Sequence, residues 1–172
     1  MIYRFVILSG EQDDFLREIE MEGVNTLFQL HAAIQENCGF DPEELASFYL
    51  CNEHWEKETE ITLIPFDDDT QADLMQSPID RLITHKKQKL IYLFDLFAQR
   101  GFFIETIDIR EKTDEDTESL PRWTRQLGEA PLQFDEFYDE TIINPEEGYD
   151  EDFDFEEPDN DFYDGDDFEE KY

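Results

Sequence analysis

The 172-residue sequence is short of the motifs that most enzyme classes need. Its seven glycines are dispersed along the chain, which excludes a Walker loop and a GxGxxG dinucleotide fingerprint. It has no GxSxG elbow and no HExxH helix, and its three histidines fall in different predicted elements. These absences give no support to nucleotide binding, to a serine hydrolase or to a zinc protease, and no catalytic residue or cofactor is predicted.

Cysteine and long apolar runs are scarce as well. Only Cys38 and Cys51 are present, and the longest apolar run, 90–94, is far too short for a membrane span. Two thiols without an export signal predict a reduced, cytoplasmic protein that does not contact a membrane. The local zinc candidates Cys38, Cys51, His31 and His54 lack paired ligand spacing, so no metal site is predicted.

Positive charge is the third deficit. The chain has 13 Lys and Arg residues against 47 Asp and Glu, for a net charge of -34. Residues 134–172 hold 19 acids and one Lys, a net charge of -18, which leaves -16 on the rest. A field of this sign repels phosphate backbones, so direct binding of nucleic acid is not predicted, whereas a basic surface on another protein would be attracted.

What the chain does contain is strand-forming sequence. The runs IYRFVIL and FLREIEM predict an antiparallel hairpin, and KLIYLFDLF with GFFIETIDI predicts a second hairpin at the centre of the sheet. SFYL and EITLI are shorter predicted strands. Thr26 and Gln29 form a capping box that begins a helix of about three turns, which ends at Gly39.

Two segments have weaker patterns. Residues 41–44 predict a single helical turn, and residues 121–134 predict an irregular excursion over the core. The expected fold class is α+β: a single domain over residues 1–133, mainly an antiparallel sheet packed by one principal helix. Residues 134–172 are predicted to form a disordered acidic tail.

The order of YRFVIL, FLREIEM, TLFQLHAAIQENCGF, LASFYL, LIYLFD and GEAP resembles the plasmid pRiA open-reading-frame-three-like family. Arg17, the pair Leu30-His31 and the run Tyr92-Leu93-Phe94-Asp95 lie on matching positions, while Leu96 and Phe97 stand where the family has Phe-Gly. The resemblance covers roughly residues 2–133. It implies an α+β domain with an antiparallel sheet, and it implies no reaction because the family has no established activity.

Arg17, His31 and Asp95 are the candidate site in the body. A His close to a carboxylate can act as a general base. However, His31 falls near the apolar face of the predicted helix, where a hydrogen-bonded structural role is the favoured interpretation. Arg17 alternates with apolar strand residues and is predicted to pair with a body carboxylate. The sequence therefore does not favour an enzyme.

The tail combines its charge with ten of the 25 aromatic residues. Repulsion keeps such a segment extended while each ring offers a large apolar contact, so Phe153, Phe155, Phe162, Tyr163 and Phe168 are predicted to anchor a partner protein. One alternative is that the tail binds nothing and, as an extended charged segment, only keeps the protein soluble. Another is intramolecular docking on the basic patch of Lys86, Lys87 and Lys89.

Three functions follow from these patterns, in order of preference. The first is a non-enzymatic, soluble adaptor that binds a protein with a basic surface through its tail rings. The second is an acidic nucleic-acid mimic, or a mobile-element accessory protein, that binds a basic partner. The third is an uncharacterised enzyme that uses Arg17, His31 and Asp95.

Overall fold

The computed structural model describes residues 1–62, 75–114 and 116–134. The chain divides into two units, Met1–Asp135 and Glu136–Tyr172. The second unit, with all the predicted tail anchors, lies outside the described residues. The predicted disorder of the acidic tail falls on that part of the chain too.

The first two strands form the hairpin that the sequence predicts. β1 (Ile2–Ser9) pairs antiparallel with β2 (Leu16–Glu22) in a register that places Phe5 opposite Ile19. Because side chains alternate across a strand, Phe5 and Ile19 point into the core while Arg4 and Glu20 lie on the other face.

The principal helix, α1 (Leu27–Cys38), also has its predicted ends. The Thr26 side chain accepts from the Gln29 backbone N–H, and the Gln29 side chain accepts from that of Thr26. Gly39 closes the helix with a φ of 70°, a left-handed conformation that glycine adopts without a Cβ clash.

The rest of the sheet is built around a second hairpin. β5 (Lys89–Asp95) pairs with β6 (Arg100–Arg110), β3 (Ser47–Cys51) pairs with β5, and β4 (Lys57–Thr62) lies beyond β3. A short helix, α2 (Ile79–Leu82), precedes β5. With a last strand, β7 (Arg122–Leu127), beside β2, the order β4-β3-β5-β6-β1-β2-β7 confirms the predicted central position of β5 and β6.

Close strand contact explains the glycine at the start of β6. A Cβ on Gly101 would lie 2.4 Å from the carbonyl oxygen of Tyr92, on the neighbouring strand. That distance is far inside van der Waals contact, so no other residue fits there without backbone movement.

The prediction for residues 121–134 is wrong in its first half. Residues Arg122–Leu127 form a seventh strand, β7, which pairs antiparallel with β2 and ends the sheet. Its side chains are mostly exposed and polar, so it lacks the alternation by which a half-buried strand is recognised. The predicted helical turn at 41–44 is a turn closed by the Glu44 N–H and the Asp41 carbonyl.

The core lies between α1 and one face of the sheet, which confirms the α+β class. Leu27, Leu30 and Ile34 of α1 are fully buried against strand side chains. The largest fully buried side chains of this core are Phe5, Phe15, Phe48, Tyr92 and Phe102. None of the helices in the described ranges has the length and apolar character of a membrane-spanning segment.

Candidate functional site

An open groove of about 690 Å³ lies between α1 and the segment that follows it. Phe28 and His31 line it from the helix, and Phe40 and Leu45 line it from the segment after Gly39. Phe28 is 43% exposed and Leu45 is 46% exposed, so both are among the large apolar side chains that the body leaves at its surface. The groove therefore presents apolar surface to the solvent beside the buried core.

The rim of this groove is acidic. Glu36, Glu43 and Glu44 line it, and all three residues are exposed. No hydrogen bond or ion pair within the described ranges involves their carboxylates. Glu36 lies near the C-terminus of α1, where the helix dipole is negative and the last turn has no basic residue to offset it. The rim carboxylates thus keep their charge uncompensated by the fold.

His31 forms part of the groove wall but is itself buried, with 4% exposure. Its Nδ1 lies 2.8 Å from the hydroxyl oxygen of Tyr92, and its ring centroid lies 6.0 Å from that of Phe28. Burial lowers the pKa of His31 to about 4, so the imidazole is neutral near pH 7. Its hydrogen bond to Tyr92 matches the structural role that the sequence favours.

Arg17 is buried on the same side of the sheet as α1 and lies 4.4 Å from the centroid of the Phe15 ring. Its guanidinium donates to Asn37 Oδ1 at 2.7 Å and to the carbonyls of Leu127 and Gly128. The predicted carboxylate partner is wrong for the described part of the chain. Backbone carbonyls and the Asn37 amide satisfy the guanidinium instead, because the C-terminal end of β7 lies alongside β2.

Asp95 ends β5 and shapes the turn that leads into β6. Its Oδ1 accepts from the backbone N–H groups of Phe97 at 3.0 Å and Ala98 at 2.9 Å. Its Oδ2 is buried without a hydrogen-bond partner, and Arg100 Nη1 is 3.9 Å away. Gln99, with a φ of 56°, supplies the left-handed residue of this turn.

Arg17, His31 and Asp95 therefore make separate contacts. Only His31 lines the groove, and the hydrogen bonds of the three residues go to different partners. The geometry gives no pair of them a shared reacting position.

The predicted tail-docking patch lies at the entrance to β5. Lys86 pairs with Asp108 at 2.6 Å, and the Lys89 ammonium donates to the Glu53 carbonyl at 2.8 Å. Lys87 occupies the turn between them with a φ of 68°. Two of the three lysines are thus engaged by neighbouring elements of the body.

A buried ionic cluster on the opposite face of the sheet was not predicted. Glu20 is 1% exposed, and one Nη2 atom from each of Arg4 and Arg122 lies 2.8 Å from its carboxylate, with Arg110 at 3.7 Å. Burial favours a raised pKa for Glu20, but its hydrogen bonds and charge attraction to Arg4 and Arg122 prevail, so its pKa is lowered. The signal was available, because Arg4 pairs directly with Glu20 in the predicted hairpin.

The groove was also not predicted, although one signal for it exists. Phe28 lies off the buried stripe of Leu27, Leu30 and Ile34, so a helix built on that stripe exposes an aromatic ring. The segment after Gly39 carries no periodicity that would place Leu45 opposite that ring. Only the folded chain brings the two together.

The last described residues are held beside the groove. Gln133 Oε1 accepts from the Asp41 backbone N–H at 2.7 Å, and Asp41 directly follows the lining residue Phe40. Arg100 fastens the same segment by donating to the carbonyls of Leu132 at 2.8 Å and Gln133 at 3.2 Å. Gln133 is therefore held next to the acidic rim.

The family is shown by sequence. The family described as plasmid pRiA4b ORF-3-like protein matches residues 2–162, and the chain belongs to it. No curated protein matches the chain. The crystal structure of a protein of unknown function from Methanosarcina mazei Go1 is similar, with a TM-score of 0.56 and 16% identity over 73% of this chain and 68% of the other. At that identity the similarity shows the fold alone.

Proposed function

We propose that this member of the plasmid pRiA4b ORF-3-like family is a protein-binding adaptor without enzymatic activity. The folded body is the scaffold, and the acidic, aromatic residues of 134–172 capture a partner with a basic surface. Phe153, Phe155, Phe162, Tyr163 and Phe168 are the proposed anchors. The single observation that carries the proposal is the concentration of 19 acids and ten aromatic residues in this segment.

The pairing of the body's positive side chains supports an external partner. Of the twelve Lys and Arg residues in 1–133, ten have an ion-pair, hydrogen-bond or ring partner among the described residues. These ten are Arg4, Arg17, Lys57, Lys86, Lys89, Arg100, Arg110, Lys112, Arg122 and Arg125. Because most Lys and Arg side chains of the body are already paired within it, few remain to neutralise a segment of charge -18. A partner with a basic surface can supply the missing positive charge.

The location that we propose is the cytoplasm. Cys38 and Cys51 are both free thiols. Burial raises the pKa of Cys38 to about 11 and also raises that of Cys51. Free, protonated thiols such as the partly buried Cys38 and the buried Cys51 are typical of proteins in a reducing compartment, where disulfides do not form.

The test is affinity capture from native lysate with the full chain and with a variant in which Phe153, Phe155, Phe162 and Phe168 are all replaced by Ser. The variant keeps every charge and removes the main apolar contacts. We expect it to lose the partner that the wild type retains at moderate salt, as read by mass spectrometry.

Equal retention by both proteins would contradict the ring-anchor proposal. A matched control replaces Phe97, which is 93% exposed on the described surface, together with Phe103, which is 39% exposed, by Ser. This control also removes accessible rings but leaves the tail intact, and we expect it to retain the partner.

The second candidate is an acidic mimic that occupies the nucleic-acid site of a basic protein, which the net charge of -34 favours. It predicts that DNA competes with the chain for its partner. It also predicts that replacing tail acids by Asn and Gln weakens capture more than replacing tail rings does. The adaptor proposal expects the reverse order.

A further inference from the structure

We propose that the groove between α1 and residues 40–45 is a second docking site, and that its occupant is a Lys- or Arg-rich segment of the partner with an apolar side chain that inserts between Phe28 and Leu45. The inference rests on the proposed adaptor function, which it deepens by naming a site on the body and the chemistry of the segment that binds there.

The floor of the groove suits an apolar anchor. Phe28 and Leu45 expose 43% and 46% of their surface, although most large apolar side chains of the described body are buried. Beneath them, Phe40 is 7% exposed and packs against Phe94 with ring centroids 4.9 Å apart. An inserted side chain would therefore cover exposed apolar surface while resting on rigid core, which is the arrangement of an interface hot spot.

The rim determines the sign of the charge that an occupant of the groove must carry. Glu36, Glu43 and Glu44 carry three negative charges that no described cation offsets. By contrast, the carboxylates of Glu11, Glu18, Glu20 and Glu22 elsewhere on the body are paired with Arg or Lys. A Lys or Arg beside the inserted apolar side chain would supply the missing counter-charge, and an acidic segment would be repelled.

Charge disfavours the chain's own tail as the occupant. Residues 134–172 carry a net charge of -18, so the rim carboxylates would repel them. A basic segment of a partner meets no such repulsion.

The test uses the full chain and a fluorescein-labelled peptide that alternates Lys with Leu, followed by fluorescence anisotropy. A peptide that alternates Lys with Ser has the same charge without anchors. Two groove variants are made: the charge reversal Glu36→Lys, Glu43→Lys and Glu44→Lys, and the apolar removal Phe28→Ser with Leu45→Ser. We expect each to raise the Kd of the Lys-Leu peptide by about tenfold.

Matched controls separate the groove from the general negative field. Glu53→Lys, Glu58→Lys and Glu111→Lys change the net charge equally at exposed positions away from the groove. Phe103→Ser with Ile107→Ser removes apolar side chains of similar exposure, 39% and 36%, from β6, which does not line the groove. Both controls should leave the Kd within about twofold. Circular dichroism and urea unfolding verify the fold of every variant.

Each outcome decides the inference. Site-specific weakening in both groove variants supports it. Equal weakening in the charge-reversal control, an equal affinity for the Lys-Ser peptide, or no binding of the Lys-Leu peptide overturns it. Tighter peptide binding after the four tail rings are replaced by Ser would show that the tail occupies the groove, which also overturns it.

Failure here and failure of the adaptor proposal are distinguishable. If the tail-ring variant loses its lysate partner but the groove variants bind peptide normally, only the groove inference falls. If the groove variants lose peptide while the tail-ring variant keeps its partner, the groove stands and the tail anchors fall.

Discussion

The body has two acidic regions that the fold treats in opposite ways. On one face of the sheet, the Glu20 carboxylate is 1% exposed and is surrounded by three arginines. At the groove, Glu36, Glu43 and Glu44 are exposed and have no described cation beside them. The difference separates acids that hold strands together from acids that are free to meet a partner.

The physical cause lies in the neighbours of each region. Glu20 stands on β2 between β1 and β7, so cross-strand positions bring Arg4 from one side and Arg122 from the other. The groove glutamates stand on a helix end and a turn, with no paired strand to supply a cation. Cross-strand neighbours thus neutralise Glu20, whereas the three groove carboxylates have no such neighbours.

Glu20→Gln gives the largest expected effect. A neutral amide would leave Arg4 and Arg122 without their buried anion, and removal of one member of a buried ionic cluster typically costs about 3–5 kcal/mol. We expect urea unfolding at pH 7 to show a loss of that size. Glu22→Gln is the control, because the pair of Glu22 with Lys112 is half-exposed and should contribute at most about 1 kcal/mol. Similar losses of stability in the two variants would contradict the distinction between the buried cluster and the half-exposed pair.

The buried His31, which lines the groove, should make the stability of the protein depend on pH. Its pKa of about 4 in the folded protein lies below its ordinary value of 6.5, so the unfolded chain binds a proton first as the pH falls. The free energy of unfolding should therefore decrease between pH 6.5 and 4, by up to about 1.4 kcal/mol per pH unit, with no contribution from His31 above that window.

The measurement compares urea unfolding of the wild type and His31→Gln across that range. The many carboxylates titrate in both proteins, so the difference between the two curves isolates His31. A constant difference from pH 7 to 4 would mean that His31 is protonated as easily in the folded chain as in the unfolded one.

Arg122→Gln should have a smaller effect than the loss of Glu20. It removes the Nε and Nη2 hydrogen bonds to Glu20, at 3.1 and 2.8 Å, but leaves Arg4 and Arg110 to balance the carboxylate. Because the Arg122 side chain is 35% exposed, we expect a loss of about 1 kcal/mol in urea unfolding. A loss as large as that of Glu20→Gln would mean that Arg122 alone holds the cluster.

The combined change Glu36→Gln, Glu43→Gln and Glu44→Gln should alter stability least. These side chains make no described ion pair, so thermal and urea unfolding should stay within about 0.5 kcal/mol of the wild type. Removing three negative charges from a chain of net charge -34 also lowers its self-repulsion, which would offset part of any loss of stability. A large destabilisation would show that the rim is structural after all.

Prediction from the sequence succeeded where a pattern is local. The hairpin of β1 and β2, the capping box at Thr26, the stop at Gly39 and the central place of β5 and β6 all follow from neighbouring residues. It failed at β7, because an exposed edge strand has no apolar alternation, and its hydrogen bonds come from β2 more than a hundred residues earlier.

The sequence by itself determined the α+β class and the uneven distribution of charge, because these depend on composition and on short-range periodicity. The family followed from the similarity of the sequence to known ones. Tertiary structure alone decided that Arg17 bonds to carbonyls of the β7 end, that Glu20 gathers three arginines, and that Phe28 and Leu45 form one groove with an acidic rim. Each of these depends on which distant segments become neighbours, and long-range packing sets that choice.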